Sequence, residues 1–235
     1  MNNNNMEKNI SDNLAVTVAE TGYLELPAEI LNFSLDQVLD EGILKDIPCV
    51  GWIAKGVSIG RSISDRMLHH KILRFLIALE RTGEGSKESF RKKIQDDKNF
   101  KRKVGEHLLL LIDKIDAFEK ASILARCFDH FLTGDIEYDY FVDLSHVIER
   151  APLSDLKALS VPDNKRILFG SIGVAVACGI LEFGIAEPEP GEDLPSLGTK
   201  ISKHGRDLRD MLLDRFRERL AKEKEQRIQF LKLFE

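Results

Sequence analysis

The chain has 235 residues, of which 43% are hydrophobic, and a formal net charge of -5 at pH 7. Its length and composition are typical of one large or two modest globular domains, and its negative balance argues against a nucleic-acid footprint over the whole surface, although not against a local basic patch. The cysteines Cys49, Cys127 and Cys178 are far apart and odd in number. They predict reduced, buried thiols in a cytoplasmic protein rather than a disulfide framework.

Residues 1–26 are predicted to form a flexible N-terminal arm. The first thirteen residues are polar and rich in asparagine, without the basic start and apolar run of a secretory signal. Residues 14–26 contain weakly alternating β-branched side chains such as Val16 and Val18, which favours a short strand or an extended arm.

A helical bundle is predicted over residues 27–160, because apolar side chains recur there at helical spacing. Ser34 and Gln37 form a capping box before a short helix that ends at Gly42. A charged helix begins at Ser86. The longer apolar stripes are Met67, Leu68, Ile72, Phe75, Leu76 and Leu79; Phe100, Val104, Leu108, Leu111 and Ile115; Ile123, Leu124, Cys127, Phe128, Phe131 and Leu132; and Phe141, Leu144, Val147 and Ile148.

The ends of these helices can also be predicted from single residues. Asp116 and Glu119 have the spacing of a capping box, so a helix is expected to start there. Gly134 stands where a left-handed residue ends that helix, and Pro152 closes the helix that follows. Short connections between such helices favour near-antiparallel packing.

Residues 47–63 are apolar but interrupted by Gly51, Gly56 and Gly60. The two glycines at 51 and 56 have the spacing of a phosphate-binding loop, yet that motif requires Lys and then Ser or Thr after the second glycine. Val57 and Ser58 follow instead. Close packing of a glycine-rich segment is therefore the preferred interpretation, and insertion of this segment into a membrane is the alternative.

No set of residues predicts a catalytic, cofactor or metal site. Residues 129–140 have glycine at the sixth place of a calcium loop, but Phe131 and Tyr140 occupy ligand positions. Cys127 and His130 are one helical turn apart, with no second pair of metal ligands nearby. We therefore predict a non-enzymatic protein without catalytic, cofactor-binding or metal-binding residues.

A smaller C-terminal unit is predicted over residues 161–235. Asp163 is placed to cap a helix that ends at Gly179, residues 180–186 and 197–202 are predicted strands, and a last helix covers residues 205–226. Helix, strand, loop, strand and helix is the order of the second half of a winged helix. Residues 167–186 have the length and apolar character of a membrane span, but Glu182 lies inside the segment, and a buried helix followed by a buried strand is preferred.

The predicted partner-binding residues lie on the last helix and the tail behind it. Cations outnumber acids along this helix, and both alternate around an apolar stripe, a pattern typical of a solvated helix or a partner seam. The apolar end of the chain needs a surface that covers it. The partner-binding candidates are Leu208, Met211, Leu212, Phe216, Ile228, Phe230, Leu231 and Phe234.

Two resemblances to known proteins accompany these patterns. The segments DIPCVG at 46–51, DRMLHHKILRF at 65–75 and FKRKVGE at 100–106 resemble a group of uncharacterised bacterial helical proteins associated with mobile or phage-defence loci. The helix, Gly-Asp-Ile turn and helix around Gly134 are similar to the helical hairpins of TerB-like domains. Both resemblances imply helical structure, and neither implies an activity.

The sequence therefore predicts a mainly α protein: a multi-helix bundle, a small winged-helix-like unit of helix and β-hairpin, and a terminal amphipathic helix. Our first functional hypothesis is a non-enzymatic interaction or regulatory protein of a bacterial defence or stress system, which binds another protein or a second copy of itself. The alternatives are an effector that inserts into membranes and a winged-helix protein that binds nucleic acid. A cytoplasmic location is expected, with membrane association under the first alternative.

Overall fold

The computed structural model describes residues 11, 13–19, 63–80, 88–161, 167–186 and 196–231. Within these residues the chain is mainly helical, with ten helices and one two-stranded antiparallel sheet, which confirms the predicted fold class. Contacts divide the chain into two units, Met1–Phe141 and Val142–Glu235. The boundaries predicted at residues 26 and 160 stay predictions.

The first unit consists of helices that bury the predicted apolar stripes. The helices are α1 (residues 13–19), α2 (Ile63–Glu80), α3 (Glu88–Asp96), α4 (Lys98–Lys114), α5 (Phe118–Leu132) and α6 (Tyr138–Arg150), which continues into the second unit. Helix α2 packs against α4 and α5, and α3 packs against α4. Burial of each large apolar side chain contributes roughly 1.5–3 kcal/mol, which exceeds the contribution of a surface ion pair, about 0–1 kcal/mol. Packing therefore holds this unit together.

The ends of α4 and α5 differ in how well the sequence predicted them. Helix α4 begins after Asp97, whose carboxylate accepts hydrogen bonds from the backbone N–H groups of Asn99 and Phe100 at 2.9 Å. Helix α5 ends at Leu132, and Gly134 behind it has a φ of 75°, as predicted. The predicted capping box of α5 was wrong. Ala117 is the N-cap and makes no side-chain bond, because Asp116 is instead paired with Lys120 at 2.6 Å.

Helix α1 replaces the strand or extended arm that was expected near the N-terminus. Leu14, Ala15 and Val18 are fully buried, so this segment belongs to the core of the first unit. Helix α4 meets the backbone of this segment at Gly105, where an added Cβ would overlap the carbonyl oxygen of Ser11. The close approach depends on the absence of a side chain at position 105.

Aromatic rings fill the space between α3, α4, α5 and α6. Six rings lie within 6.2 Å of at least one other ring of the set: Phe90, Phe100, Phe128, Phe131, Tyr138 and Phe141. Phe90, Phe128 and Phe141 are buried, whereas Phe100, Phe131 and Tyr138 are partly exposed. The cluster therefore extends from the core to the surface.

The phenol of Tyr138 should make the first unit sensitive to alkaline pH. Burial raises the pKa of Tyr138 from about 10 to about 12, and the charge of Asp139 adds to the rise. Because the folded protein holds this proton more tightly than the unfolded chain, the stabilisation is complete below about pH 10 and is lost as the pH rises towards about 12. Tyr138→Phe has no phenol to ionise, so we expect a shallower alkaline decrease of its unfolding free energy.

Urea unfolding of both proteins, at neutral pH and between about pH 10 and 12, measures this difference. At neutral pH the variant should lose about 1 kcal/mol, because the 2.8 Å hydrogen bond between the Tyr138 hydroxyl and Nδ1 of His107 is absent. Identical alkaline slopes for the two proteins would contradict the prediction.

The second unit combines short helices with a β-hairpin. After α6 its elements are α7 (Leu153–Leu159), α8 (Ile172–Ala177), β1 (Leu181–Ala186), β2 (Ser196–Ile201), α9 (Lys203–Leu212) and α10 (Phe216–Leu231). The strands pair antiparallel, with Leu181 opposite Ile201 and Ala186 opposite Ser196. Helix α9 packs against α7, β2 and α10, and α8 packs against β1. The two predicted strands are confirmed.

Two predicted helices of this unit differ from the observed ones. Within the described part of the helix expected from Asn164 to Cys178, residues 167–171 are not helical and α8 covers Ile172–Ala177. The last helix, expected over residues 205–226, is two helices. The chain breaks at Asp214, whose φ of 55° is left-handed, a conformation that aspartate adopts more readily than most residues.

Candidate functional site

Exposed apolar side chains are concentrated in one segment of the second unit. Seven large apolar side chains of the described residues are exposed: Met67, Leu110, Leu168, Ile172, Val174, Phe183 and Ile228. Four of the seven lie between positions 168 and 183, where Leu168 is 72% and Phe183 is 64% exposed. We call Leu168, Ile172, Val174 and Phe183 the 168–183 surface. Its exposure corrects the prediction of a buried helix and strand.

The 168–183 surface is anchored by buried neighbours in the same segment. Ala175, Ile180 and Leu181 are buried, so α8 and the start of β1 are fixed by packing. The backbone N–H of Gly170 donates a 2.9 Å hydrogen bond to Oδ1 of Asp155, whose residue is only 1% exposed. Ser171 caps α8 through its side chain. The exposed side chains are therefore carried by a backbone that is held at several points.

The charged residues beside this surface in the sequence differ at its two ends, because Lys165 and Arg166 precede Leu168 whereas acidic residues follow β1. Helix α8 contains no charged residue, and Glu182 on β1 is paired with Lys200 on β2 at 3.3 Å. Residues 187–195, which join the two strands, contain Glu187, Glu189, Glu192 and Asp193 and no cation. An apolar surface with acidic residues beside it in the sequence suits a partner that presents apolar side chains together with cations.

Residues 167–186 do not form a single membrane-spanning helix. They form an extended stretch, a six-residue helix and a strand rather than one long helix. Among the described residues, no helix combines the length and the apolar character that crossing a bilayer requires. The glycine-rich segment that was the other candidate for membrane insertion lies outside the described residues over positions 47–62.

The predicted partner-binding residues fall into three groups. Leu208, Met211 and Phe216 are at most 2% exposed and belong to the core of the second unit, and Leu212 is partly exposed. Ile228 is 52% exposed on α10. The side chains of Phe230, Leu231 and Phe234 lie outside what the structure describes. Partner binding by all of these candidates stays a prediction.

An ion-pair network around Arg219 holds α10 against α9. The Arg219 guanidinium donates to Oδ2 of Asp210 at 2.6 Å and also to Oδ1 of Asp207. It reaches Glu223 on its own helix at 2.8 Å. Burial alone lowers the pKa of Arg219, but the hydrogen bond to Glu223, the charge of Asp207 and the hydrogen bonds to Asp210 and Asp207 raise it above its usual value. The network fixes the first turn of α10 against α9.

A second polar cluster closes the turn between α5 and α6. Nδ1 of His130 lies 2.9 Å from Oδ2 of Asp135, which also accepts a 2.7 Å hydrogen bond from the Thr133 hydroxyl. Cys127, one turn before His130, is buried, and neither Cys127 nor Cys178 belongs to a disulfide. Within the described part of the chain, no group of three or more His, Cys, Asp or Glu side chains could hold a metal ion. The cluster is best explained as a stabilised turn.

No family model, no curated protein and no solved structure matches this chain. The resemblances to helical defence-associated proteins and to TerB-like hairpins stay predictions.

Proposed function

We propose that this chain is a non-enzymatic interaction protein that associates with a second copy of itself through the 168–183 surface. The observation that carries the proposal is the exposure of four large apolar side chains within one anchored segment. Large apolar side chains that stay exposed close together in the sequence are candidates for an interaction site. A rigid backbone beneath it lowers the entropy that is lost on binding.

The proposed occupant is the C-terminal segment of another molecule. Residues 227–234 combine apolar side chains with cations: Arg227, Ile228, Phe230, Leu231, Lys232, Leu233 and Phe234. Ile228 is exposed on α10 and needs a cover. The apolar side chains complement the 168–183 surface, and the cations complement the acidic residues at 187–195 that follow β1 in the sequence. The contact joins two different patches, so reciprocal exchange of the tails gives a two-fold dimer, whereas one-way contacts give rings or open chains.

The expected affinity is modest. Full burial contributes roughly 1.5–3 kcal/mol for each of the four side chains, whereas association costs an estimated 4–15 kcal/mol or more in lost translational and rotational freedom. The two terms are of similar size. We therefore expect weak association that increases with protein concentration.

The helix, strand, strand and helix order of the second unit is that of the second half of a winged helix, but its charges disfavour nucleic acid at the hairpin. Binding to the phosphate backbone is driven by Lys and Arg side chains. Helix α8 has none, and the hairpin connection carries only acidic charges. Because α8 and the hairpin connection lack the cations that phosphate binding needs, a protein occupant is favoured at the 168–183 surface.

The test is light scattering coupled to size-exclusion chromatography over a range of protein concentrations. A surface variant that carries both Phe183→Ser and Leu168→Ser should not assemble, because this double substitution removes the two most exposed apolar side chains. A chain that ends at Gln226 should also abolish assembly, because it lacks the docking segment. Leu110→Ser is the matched control, since Leu110 is 51% exposed but lies on α4. This control should assemble as the parent does.

Mixing the two defective proteins gives a sharper result. The surface variant still has its tail and the truncated chain still has its surface, so the mixture should form a heterodimer with a single contact. A parent chain that stays monomeric at all concentrations, or a surface variant that assembles normally, would reject the proposal.

A further inference from the structure

A second surface, on the first unit, combines cations with aromatic rings. Residues 91–103 contain seven cations, Arg91, Lys92, Lys93, Lys98, Lys101, Arg102 and Lys103, and only two acids, Asp96 and Asp97. Lys92, Lys93, Lys98, Arg102 and Lys103 are exposed. They lie on α3 and the first turns of α4, two helices that pack together. A chain of net negative charge therefore carries a local basic patch.

Two partly exposed rings border this patch at the edge of the aromatic cluster. The ring centroids of Phe100 and Tyr138 are 6.0 Å apart. Phe100 is backed by Phe90 at 6.2 Å, and Tyr138 is backed by Phe131 at 5.4 Å. The hydrogen bond to His107 further fixes the orientation of Tyr138. Both rings are therefore held by packing from behind.

A lysine amino group lies over one face of each of these two rings. Nζ of Lys93 lies 4.2 Å from the ring centroid of Phe100, and Nζ of Lys103 lies 5.1 Å from that of Tyr138. An ammonium group on an exposed side chain keeps its hydration, so the ring face beneath it is turned towards solvent. A flexible lysine can leave that face at a small energetic loss, because an exposed cation–π contact contributes only about 0.5–1 kcal/mol.

We propose that Phe100 and Tyr138, with Lys93 and Lys103, form a binding site for single-stranded nucleic acid. Bases stack on the two ring faces, and the lysines move from the rings to the phosphates between them. Base–aromatic stacking combined with a cationic track is the general chemistry by which single strands are bound without sequence preference. Stacked bases inside a duplex cannot reach the rings, so duplexes should bind more weakly.

The acidic residues next to this site limit its affinity. Asp139 is close enough to affect the pKa of Tyr138, and Glu106 is exposed one helical turn beyond Lys103. Both oppose the approach of phosphates. An acidic peptide would be attracted by the same lysines but would gain little from the rings, so the contribution of Phe100 distinguishes the two classes of ligand.

The experiment is fluorescence anisotropy of the full chain with a labelled oligouridylate at several salt concentrations. Binding should weaken as salt increases. Lys103→Gln should reduce the slope of log affinity against log salt by about 0.7, the value for one phosphate contact on a single strand. Phe100→Leu retains an apolar side chain against Phe90 but offers no ring, and should weaken binding about ten-fold.

Lys114→Gln is the matched control, because Lys114 is exposed at the other end of α4. It removes the same charge away from the rings and should leave the salt slope nearly unchanged. Circular dichroism of each variant verifies its folding. The proposal is overturned by three results: no binding at low salt, equal loss from Lys114→Gln and Lys103→Gln, or polyglutamate competing as well as unlabelled oligouridylate.

Discussion

Replacing Gly205 with alanine should lower the unfolding free energy of the second unit by about 2 kcal/mol or more. An added Cβ at position 205 would overlap the carbonyl oxygen of Ile180 and lie 3.1 Å from Cγ2 of Ile201. The Ile180 carbonyl cannot move away freely, because it accepts a 3.0 Å hydrogen bond from the N–H of Ser202. The higher helix propensity of alanine, worth about 1 kcal/mol, offsets only part of this overlap.

Urea unfolding followed by circular dichroism measures the effect of Gly205→Ala, and Gly173→Ala is its control. Gly173 lies on α8, where the nearest atom to an added Cβ would be Oγ of Ser171 at 3.9 Å. This ordinary contact leaves the higher helix propensity of alanine unopposed, so Gly173→Ala should be neutral or stabilising. If both variants had the same stability, the close approach of α9 to Ile180 would not be a constraint on the fold.

Arg219→Ala should destabilise the attachment of α10 by about 2 kcal/mol. Removing one partner of a buried ion pair costs about 3–5 kcal/mol, because the remaining charge stays away from water. Asp207 and Asp210 have side chains that are 5% and 12% exposed. The expected loss is smaller here, since Arg215 and Lys203 also approach these carboxylates, at 3.2 Å and 3.8 Å.

Two substitutions separate the network from the loss of a cation on α10. Arg227→Ala removes the same side chain type from an exposed position of the helix and should change stability by less than about 0.5 kcal/mol. Arg219→Lys keeps the charge but not the planar fork that reaches Asp207, Asp210 and Glu223 together, so it should recover only part of the loss. Equal effects of Arg219→Ala and Arg227→Ala in urea unfolding would contradict the importance of the network.

The apolar stripes were predictable because they are local signals. Leu108, Leu111 and Ile115 recur at helical spacing, and a helix with such a stripe has to bury it. The break at Asp214 was not predictable in this way. The stripe continues from Leu208 through Phe216 without glycine or proline, and the reason for the turn lies in tertiary contacts. In one straight helix the backbones of Asp210 and Arg219 would be about 13 Å apart along the axis. The turn instead brings Nε of Arg219 within 2.6 Å of Oδ2 of Asp210.

The 168–183 surface was missed for a related reason. Most residues of this segment are apolar, and apolar composition alone favours burial. The membrane interpretation and the buried interpretation therefore both placed Leu168 and Phe183 away from water. Helix α8 has only six residues, too few to show which side of a periodic pattern is exposed. The aromatic edge at Phe100 and Tyr138 was also missed, because these residues come together only when α4 and α6 pack.

Helix α10 is attached at one end and surrounded by water at the other. Phe216 is buried and Arg219 and Leu220 are partly covered, but every residue from 221 to 229 is exposed. A helical stretch of that length is marginal in water when nothing packs against it, so we expect its last turns to exchange between helix and coil. Any molecule that covers Ile228 therefore has to order these turns as it binds, and recognition and the final step of folding become a single event at this end of the chain.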